Sequence, residues 1–343
     1  MKFFFLSVHN RPSGGTKVLN QMVNLCIEKG FESYYVTAEN QAQPASFMEN
    51  PSPAITLDDF VNKCEKNDIV INCWQNKNTH QAVMKCSSQH KIFWQHGVHI
   101  PYDKDFDNQK IYDPNTYNQY WNVSQACANF IKKTYKLEKM EIVHPFFDDN
   151  TLLQYIDSDS KRKGILIVRR RGQEAIHDIL KKFPKEKLTI MNQTFTDNSL
   201  YKELINHKYF ISSDAGVNGN ILTTNRFEKY SLQLTRLKNK IFGKKNLVKP
   251  MPPLLGFPMT ACEAAWLGTI VIGFAMGGGL EWMTDENIYL AKDGDINSLL
   301  AKTKGAVEDS EKNHNKKRQK AFDAVKKFNK EHTWNQMTKL LNL

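Results

Sequence analysis

Short apolar runs alternate along the chain with longer stretches in which apolar residues recur every three or four positions. The first pattern is that of strands buried on both faces and the second that of helices burying one side. Their alternation predicts an α/β protein built on parallel sheets. Residues 2–8 predict a first strand; Val18, Leu19, Met22, Val23 and Cys26 then fall at helical spacing, and Gly30 stops the helix. "ESYYVT" follows as a second strand, completing a βαβ unit whose connection is right-handed. Further strands are predicted at "DIVINCW" (68–74), "KIFWQHG" (91–97), "YWNVS" (120–124) and "MEIVHPFF" (140–147).

The polar stretch "NTLLQYIDSDSKRK" reads as a linker, placing a first domain over 1–150 and the linker over 151–163. A second set of strands begins at "GILIVRR" (164–170) and continues through "KLTIMN", "KYFISS", "GTIVIGF" and "NIYLA", for a second domain over 164–325. A helix over about 326–343 is expected to pack back on the first domain. Two α/β halves joined by a short linker make a cleft, a usual place for a ligand. Residues 214–250 break the rhythm: Phe227, Tyr230, Leu234, Leu237 and Ile241 form one apolar helical stripe, with Arg226, Lys229, Arg236, Lys238 and Lys240 around it. Such a basic amphipathic helix suits either an insertion packed on its own domain or a surface for an anionic acceptor or membrane.

At 343 residues, 41% hydrophobic and 24% charged, the chain has the content of a folded globular protein and the length of two domains. No apolar run reaches the roughly 20 residues of a membrane span. "MKFFFLSV" reads as a first strand rather than a leader, since its apolar core is short and no small-residue cleavage site follows. Six cysteines without a CxxC pair read as free thiols of a cytoplasmic protein. The net charge of +11 fits phosphate-bearing partners, nucleic acid or an anionic membrane, as well as a merely soluble lysine-rich surface. Between the first strand and first helix stands "NRPSGGTK". Gly14 and Gly15 there suit close approach of backbone N–H groups to a phosphate at a helix N-terminus, or a tight structural turn. Their spacing is neither that of a dinucleotide fingerprint nor that of a P-loop. The acidic patterns "DSD" (157–159) and "DGD" (293–295) are not read as metal sites; Asp295 suits a helix N-cap.

In the second half, "GFPMTACEAAWLGTIVIGFAMGGGLEWM" (256–283) places Glu263 on a short helix, then a buried strand, then Gly277, Gly278 and Gly279, then Glu281. This stretch resembles the donor-binding segment of retaining GT-B glycosyltransferases of the family 4 type. "SGGTKVL", "WQHG", "VSQACANFI" and "VHPFFDD" resemble other segments of that family in the same order. The resemblance covers most of the chain apart from 214–250. It implies two Rossmann-like, doubly wound domains facing a central cleft, and transfer of a sugar from a nucleotide-diphosphate donor, UDP or GDP, with retention and without a bound metal or other cofactor.

The resemblance also implies roles. Gly14 and Gly15 match the loop that meets the donor diphosphate, and His96 a histidine lining the sugar pocket. Arg170 and Arg171 match the cations that grip the leaving diphosphate, although side chains alternate along a strand and only one or two of the three consecutive arginines can point to the donor. Glu263 matches the carboxylate that accepts both ribose hydroxyls, a task suited to a group with two acceptor oxygens. Gly278 and Gly279 match the loop near sugar and phosphates, with Glu281 as a candidate sugar contact. Leu255 stands where the family has its first glutamate, which bears on donor identity and on whether the chain turns over at all. The acceptor surface is assigned to Arg226, Lys229, Arg236 and Lys240. Three functions follow: a glycosyltransferase building a surface glycan on a lipid-linked or saccharide acceptor, with peripheral contact at the inner face of the membrane; a glycosyltransferase modifying nucleic acid; and a binding module that has lost turnover.

Overall fold

The structure, a computed structural model, describes residues 1–48, 50–97, 111–112, 115–155, 162–168, 188–191, 196–212, 256–275, 277–292 and 295–343. The chain divides into two compact units, Met1–Tyr155 with Thr194–Tyr201 and Lys326–Leu343, and Ile156–Gln193 with Lys202–Val325.

The first unit is built on a seven-stranded parallel sheet of order β3-β2-β1-β4-β5-β6-β7. Its strands are β1 (Lys2–Ser7), β2 (Glu32–Thr37), β3 (Ala54–Thr56), β4 (Ile69–Asn72), β5 (His90–Gln95), β6 (Gln119–Asn122) and β7 (Glu141–Ile142). Phe3, Phe4, Phe5 and Leu6 are all fully buried, so β1 has no solvent face, as befits a central parallel strand. Phe3 stands opposite Ser33 on one side and Ile69 on the other. From β1 the chain builds outward to β2 and β3, then crosses to β4. The β1/β4 boundary is thus a topological switch point, where the loops leaving the carboxyl ends diverge and open a crevice.

Helix α1 (Gly14–Glu28) covers this sheet through Val18, Leu19, Met22, Val23 and Cys26. It stops at Lys29, and Gly30 follows at φ +87, the left-handed conformation a helix exit requires. Helices α2 (Leu57–Lys63), α3 (Lys77–Lys85), α4 (Gln125–Tyr135) and α5 (Asp149–Leu153) complete the crossovers, with α10 (Lys330–Leu341) from the end of the chain. Glu28 accepts from Lys330 at 2.8 Å, Glu331 from Lys29 at 2.8 Å, and the Gln119 amide donates to the Leu340 carbonyl at 3.1 Å.

The second unit has a five-stranded parallel sheet of order β12-β11-β10-β8-β9. Its strands are β8 (Ile165–Val168), β9 (Leu188–Met191), β10 (Tyr209–Ser212), β11 (Ile270–Phe274) and β12 (Tyr289–Ala291). Ile165, Ile167, Tyr209, Ile211, Ile270, Ile272 and Phe274 form its core with residues of α8 (Ile296–Glu308). Helix α6 (Asp197–Asn206) counts with the first unit up to Tyr201; α7 (Met259–Trp266) and α9 (Glu311–Val325) belong to the second. The half-buried Arg162 guanidinium donates to the Leu267 carbonyl at 2.7 Å and to Thr269 Oγ1 at 3.0 Å. That hydroxyl in turn donates to the Leu204 carbonyl at 2.6 Å.

Three elements differ from the sequence reading. The strand expected over 140–147 pairs only at Glu141–Ile142. Beyond it, His144 N–H turns to Gln336 Oε1 at 2.9 Å, Thr333 Oγ1 donates to the His144 carbonyl at 2.9 Å, and Pro145 has no N–H for a ladder. The polar stretch read as a linker opens in helix α5, whose Leu152 is fully buried and whose N-cap is Asp148. Residues 54–63 carry a short edge strand and a helix that periodicity does not announce. A capping box between Thr56 and Asp59 starts that helix.

Candidate functional site

In the first unit the switch-point crevice is framed by the loop after β1, the loop after β4 and the turn after β5. The first loop is "NRPSGGTK". Asn10 anchors it: its amide donates to the Gln43 carbonyl at 2.7 Å and its Oδ1 accepts from Asn20 on α1 at 3.1 Å. The His9 carbonyl accepts from the hydroxyls of Ser7 and Tyr35, and its Nδ1 accepts from the Arg11 N–H at 3.3 Å. Ser13 is extended and caps α1 by accepting from Thr16 N–H at 3.0 Å. The helix therefore begins on Gly14, and the first amide groups of a helix point outward without intrahelical partners, at the positive end of its dipole.

Gly15 brings this helix start against His96. A side-chain carbon at Gly15 would lie 3.6 Å from His96 Nδ1 and 3.8 Å from Trp74 Cζ2, and one at Gly14 would meet nothing within 4 Å. The Trp74 ring also lies 5.5 Å from the His9 ring. His9 has its pKa lowered from the ordinary 6.5, chiefly by burial, so it stands as the neutral imidazole near neutral pH. His96 packs edge-on to Trp94 at 4.4 Å. Its turn is held from below: the Gln95 amide donates to the Gly97 carbonyl, and Gln95 Oε1 accepts from the Tyr112 hydroxyl at 3.0 Å and from the Gln75 amide at 3.4 Å. Gly14, Gly15 and His96, singled out from the sequence, thus meet at one crevice. His9 and Trp74 were missed; each follows the carboxyl end of a strand flanking the switch point, a signal visible only once strand order is known.

One turn into α1, buried Lys17 pairs with Asp197 Oδ1 at 2.9 Å and donates to the Tyr201 hydroxyl at 2.8 Å. Its charge is thereby balanced by Asp197, and the helix start adds the positive end of its dipole at the glycines.

In the second unit Glu263 lies on α7, every residue of which is buried; Glu263 is 1% exposed. The glycines over 277–279 open a 3₁₀ turn, Gly277–Glu281, with Gly277 at φ +51. Gly278 N–H donates to the Gly256 carbonyl at 2.8 Å, tying this turn to the loop that enters α7. A side-chain carbon on Gly278 would fall 2.1 Å from Phe257 Cδ2, and one on Gly279 would fall 3.1 Å from Met283 Sδ. The Gly279 carbonyl accepts from Met283 N–H at 2.7 Å, and Glu281 is half-buried. The fold thus joins Glu263's helix to the turn that carries Gly278, Gly279 and Glu281. Arg170, Arg171, Leu255 and the basic residues Arg226, Lys229, Arg236 and Lys240 lie outside the described residues.

Among the described residues no group of three or more histidines, cysteines, aspartates or glutamates is placed to hold a metal ion, and no helix is long and apolar enough to cross a membrane. Asp295 caps α8 by accepting from Ser298 N–H at 3.1 Å, and the six cysteines are buried free thiols.

No family model matches the sequence, and no curated protein matches it. Solved structures do match along its length. HepE of Anabaena, in complex with UDP and glucose, is 13% identical at a TM-score of 0.65, over 100% of this chain and 99% of that one. An alpha-glucosyltransferase in complex with UDP and a 13-mer DNA containing an HMU base is 12% identical at 0.66, over all of both chains. Sucrose-phosphate synthase from Thermosynechococcus elongatus is 11% identical at 0.58, over 99% and 98%. With two parallel α/β sheets in the order described and this likeness along its length, the chain has the fold of the GT-B glycosyltransferases.

Proposed function

We propose that this protein is a glycosyltransferase that takes a sugar from a UDP-linked donor. The observation that carries the reading is the first unit's crevice, where the start of α1 at Gly14 and Gly15 opens at a switch point beside the His96 ring. Outward amide groups at a helix start suit a diphosphate, and a neighbouring imidazole suits a sugar hydroxyl. Structures of the same fold that hold UDP support the nucleotide.

In this reading Gly14 and Gly15 meet the diphosphate through their backbone, and His96 lines the sugar pocket. Glu263 accepts the ribose hydroxyls, and the turn of Gly278, Gly279 and Glu281 contacts sugar and phosphates. Arg170 and Arg171 neutralise the leaving group, so that fixed cations and a helix start stand in for a metal; preorganised charge of this kind lowers a barrier by several kcal/mol. The anomeric C–O bond breaks with its electron pair leaving on UDP, the acceptor oxygen bonds to the anomeric carbon on the same face, and the acceptor's proton passes to the departing phosphate. The configuration is retained, as in family 4. The acceptor is a surface-glycan saccharide or its lipid-linked form, met at the membrane face through the basic stretch of Arg226, Lys229, Arg236 and Lys240. A second reading, transfer to a nucleic-acid base, draws support from the charge of +11 and from the DNA held by one structure of this fold.

The deciding experiment is a thermal-shift panel with UDP, GDP, dTDP and CMP and their common sugars. A ligand at about 100 times its Kd adds roughly 2.7 kcal/mol of stability. A shift selective for UDP, with slow hydrolysis of a UDP-sugar, is expected. No shift with any nucleotide would sink the reading in favour of a binding module. Competition of duplex DNA or of neutral glycans for the acceptor side separates the two acceptor classes.

A further inference from the structure

The last helix is fastened to the first unit by a hydrogen-bond pattern that only a neutral histidine can make. His144 follows β7, and its backbone N–H lies 2.9 Å from Gln336 Oε1 on α10. A backbone N–H can only donate, so the amide oxygen of Gln336 is fixed on that side. The amide nitrogen of Gln336, also a donor only, is then the atom 2.9 Å from His144 Nδ1. Nδ1 is therefore the acceptor, and the neutral ring carries its proton at Nε2. Thr333 Oγ1 closes the clamp by donating to the His144 carbonyl at 2.9 Å.

A proton added to this ring enters at Nδ1, where it sets one N–H against another and breaks the clamp. The groups around it have the wrong sign to offset the loss. The His332 ring on α10 lies 5.6 Å from the His144 ring, and both residues are half-buried, within reach of water. The pKa of His332 is lowered from 6.5 by burial first, then by the charges of His144 and Lys327. The Phe328 ring packs on His144 at 5.3 Å. The acids of the neighbouring segments are engaged elsewhere. Glu28 holds Lys330, Glu331 holds Lys29 and Glu141 holds Lys139. Asp148 caps α5, and with Asp149 it acts on Lys330. The other ties of α10, the pairs Lys330–Glu28 and Lys29–Glu331 and the bond from Gln119 to the Leu340 carbonyl, involve no imidazole. Imidazole is the side chain that titrates near pH 6.5.

We infer that α10 is a proton-sensitive latch. Within the first unit it docks on the end of β7 while His144 and His332 are neutral, and it loosens when they take protons from solvent. The segment it controls, Lys326–Leu343, is the one in which the chain returns to the first unit after completing the second. The inference goes beyond the transferase reading and does not depend on it.

Amide exchange of the full chain is followed from pH 7.5 to 5.5, each rate corrected for the intrinsic pH dependence of exchange. Two variants accompany it. His332→Gln removes one of the two facing rings. Gln336→Glu keeps an acceptor for the His144 N–H but sets a carboxylate against Nδ1, which favours the protonated ring. In the wild type, protection over 330–341 should fall about tenfold or more as the pH drops, while β1 keeps its protection. His332→Gln should lessen that fall. Gln336→Glu should abolish or reverse it, an outcome that a merely structural contact does not produce. Protection over 330–341 that is constant with pH, or that is lost together with that of β1, would overturn the inference. So would the wild-type pH profile in either variant.

Discussion

At Gly14 an added side chain would meet nothing, and at Gly15 only ordinary van der Waals contacts, whereas at Gly278 it would fall 2.1 Å from the ring of Phe257. Both glycine turns precede or join a helix in a parallel α/β unit, and both look alike as "GG" in the sequence. In the first unit the protein itself does not require glycine, so the absence of a side chain leaves room for a ligand at the helix start. In the second the neighbouring loop fills that room, and Gly278 is needed to let Gly256–Pro258 pack beneath the turn. The same residue type therefore speaks of binding in one unit and of packing in the other.

The comparison can be broken in four ways, from the largest effect to the smallest. Glu263→Gln keeps the volume of a buried residue on α7 but removes its charge. If the second unit's turn packs in order to place this carboxylate against a ribose, kcat/KM for the UDP-sugar should fall about 100-fold, or about 2.7 kcal/mol, at nearly unchanged Tm. Turnover equal to wild type would detach Glu263 from the donor.

Gly278→Ala comes next. Overpacking of this kind costs about 1–3 kcal/mol, which lowers Tm by several degrees in a unit of this size. An unshifted Tm would mean that the Phe257 ring gives way freely and that the packing reason is wrong. Gly15→Ala should behave in the opposite manner. Alanine is favoured over glycine in a helix by about 0.5–1 kcal/mol, so Tm should hold or rise while UDP affinity falls about tenfold. Intact UDP binding would remove the ligand reason for that glycine.

The smallest effect is in pH. In the first unit His9 and His332 both have pKa values lowered from 6.5, chiefly by burial. The unfolded chain binds their protons more readily, so the stability they contribute is present above pH 6.5 and is lost as pH falls below it. In the second unit the Lys208 hydrogen bond holds Glu311 down to about 2, and the Tyr289 hydroxyl holds Asp309 down to about 2. Their contribution is present above the ordinary carboxylate values and is lost only as pH falls toward 2. Amide exchange followed from pH 7 to 4 should therefore show the first unit loosening before the second. Simultaneous loosening would indicate that other groups govern acid stability.

Much of the fold could be read from the chain. The runs "FFFL" and "YFIS" are strands because parallel strands covered on both faces must be largely apolar, and that signature is local. Ser13, Thr56, Ser124 and Asp295 cap their helices as their residue types suggest. The edge strand Ala54–Thr56 was not readable, since three half-buried residues carry no period. The apolar "VHPFF" misled because from His144 onward its backbone turns to side chains of α10 instead of to a neighbouring strand.

What the sequence alone determined is therefore local: the succession of strands and helices, the places where helices start and stop, and the parallel α/β class that this alternation compels. Strand order, and with it the switch point that gathers His9, Gly15, Trp74 and His96, was decided only by tertiary structure. So were the steric reason for Gly278 and the clamp of Gln336 on His144. Each depends on which distant segments become neighbours, and that choice is made by the summed burial of whole faces, a quantity no single stretch of sequence contains.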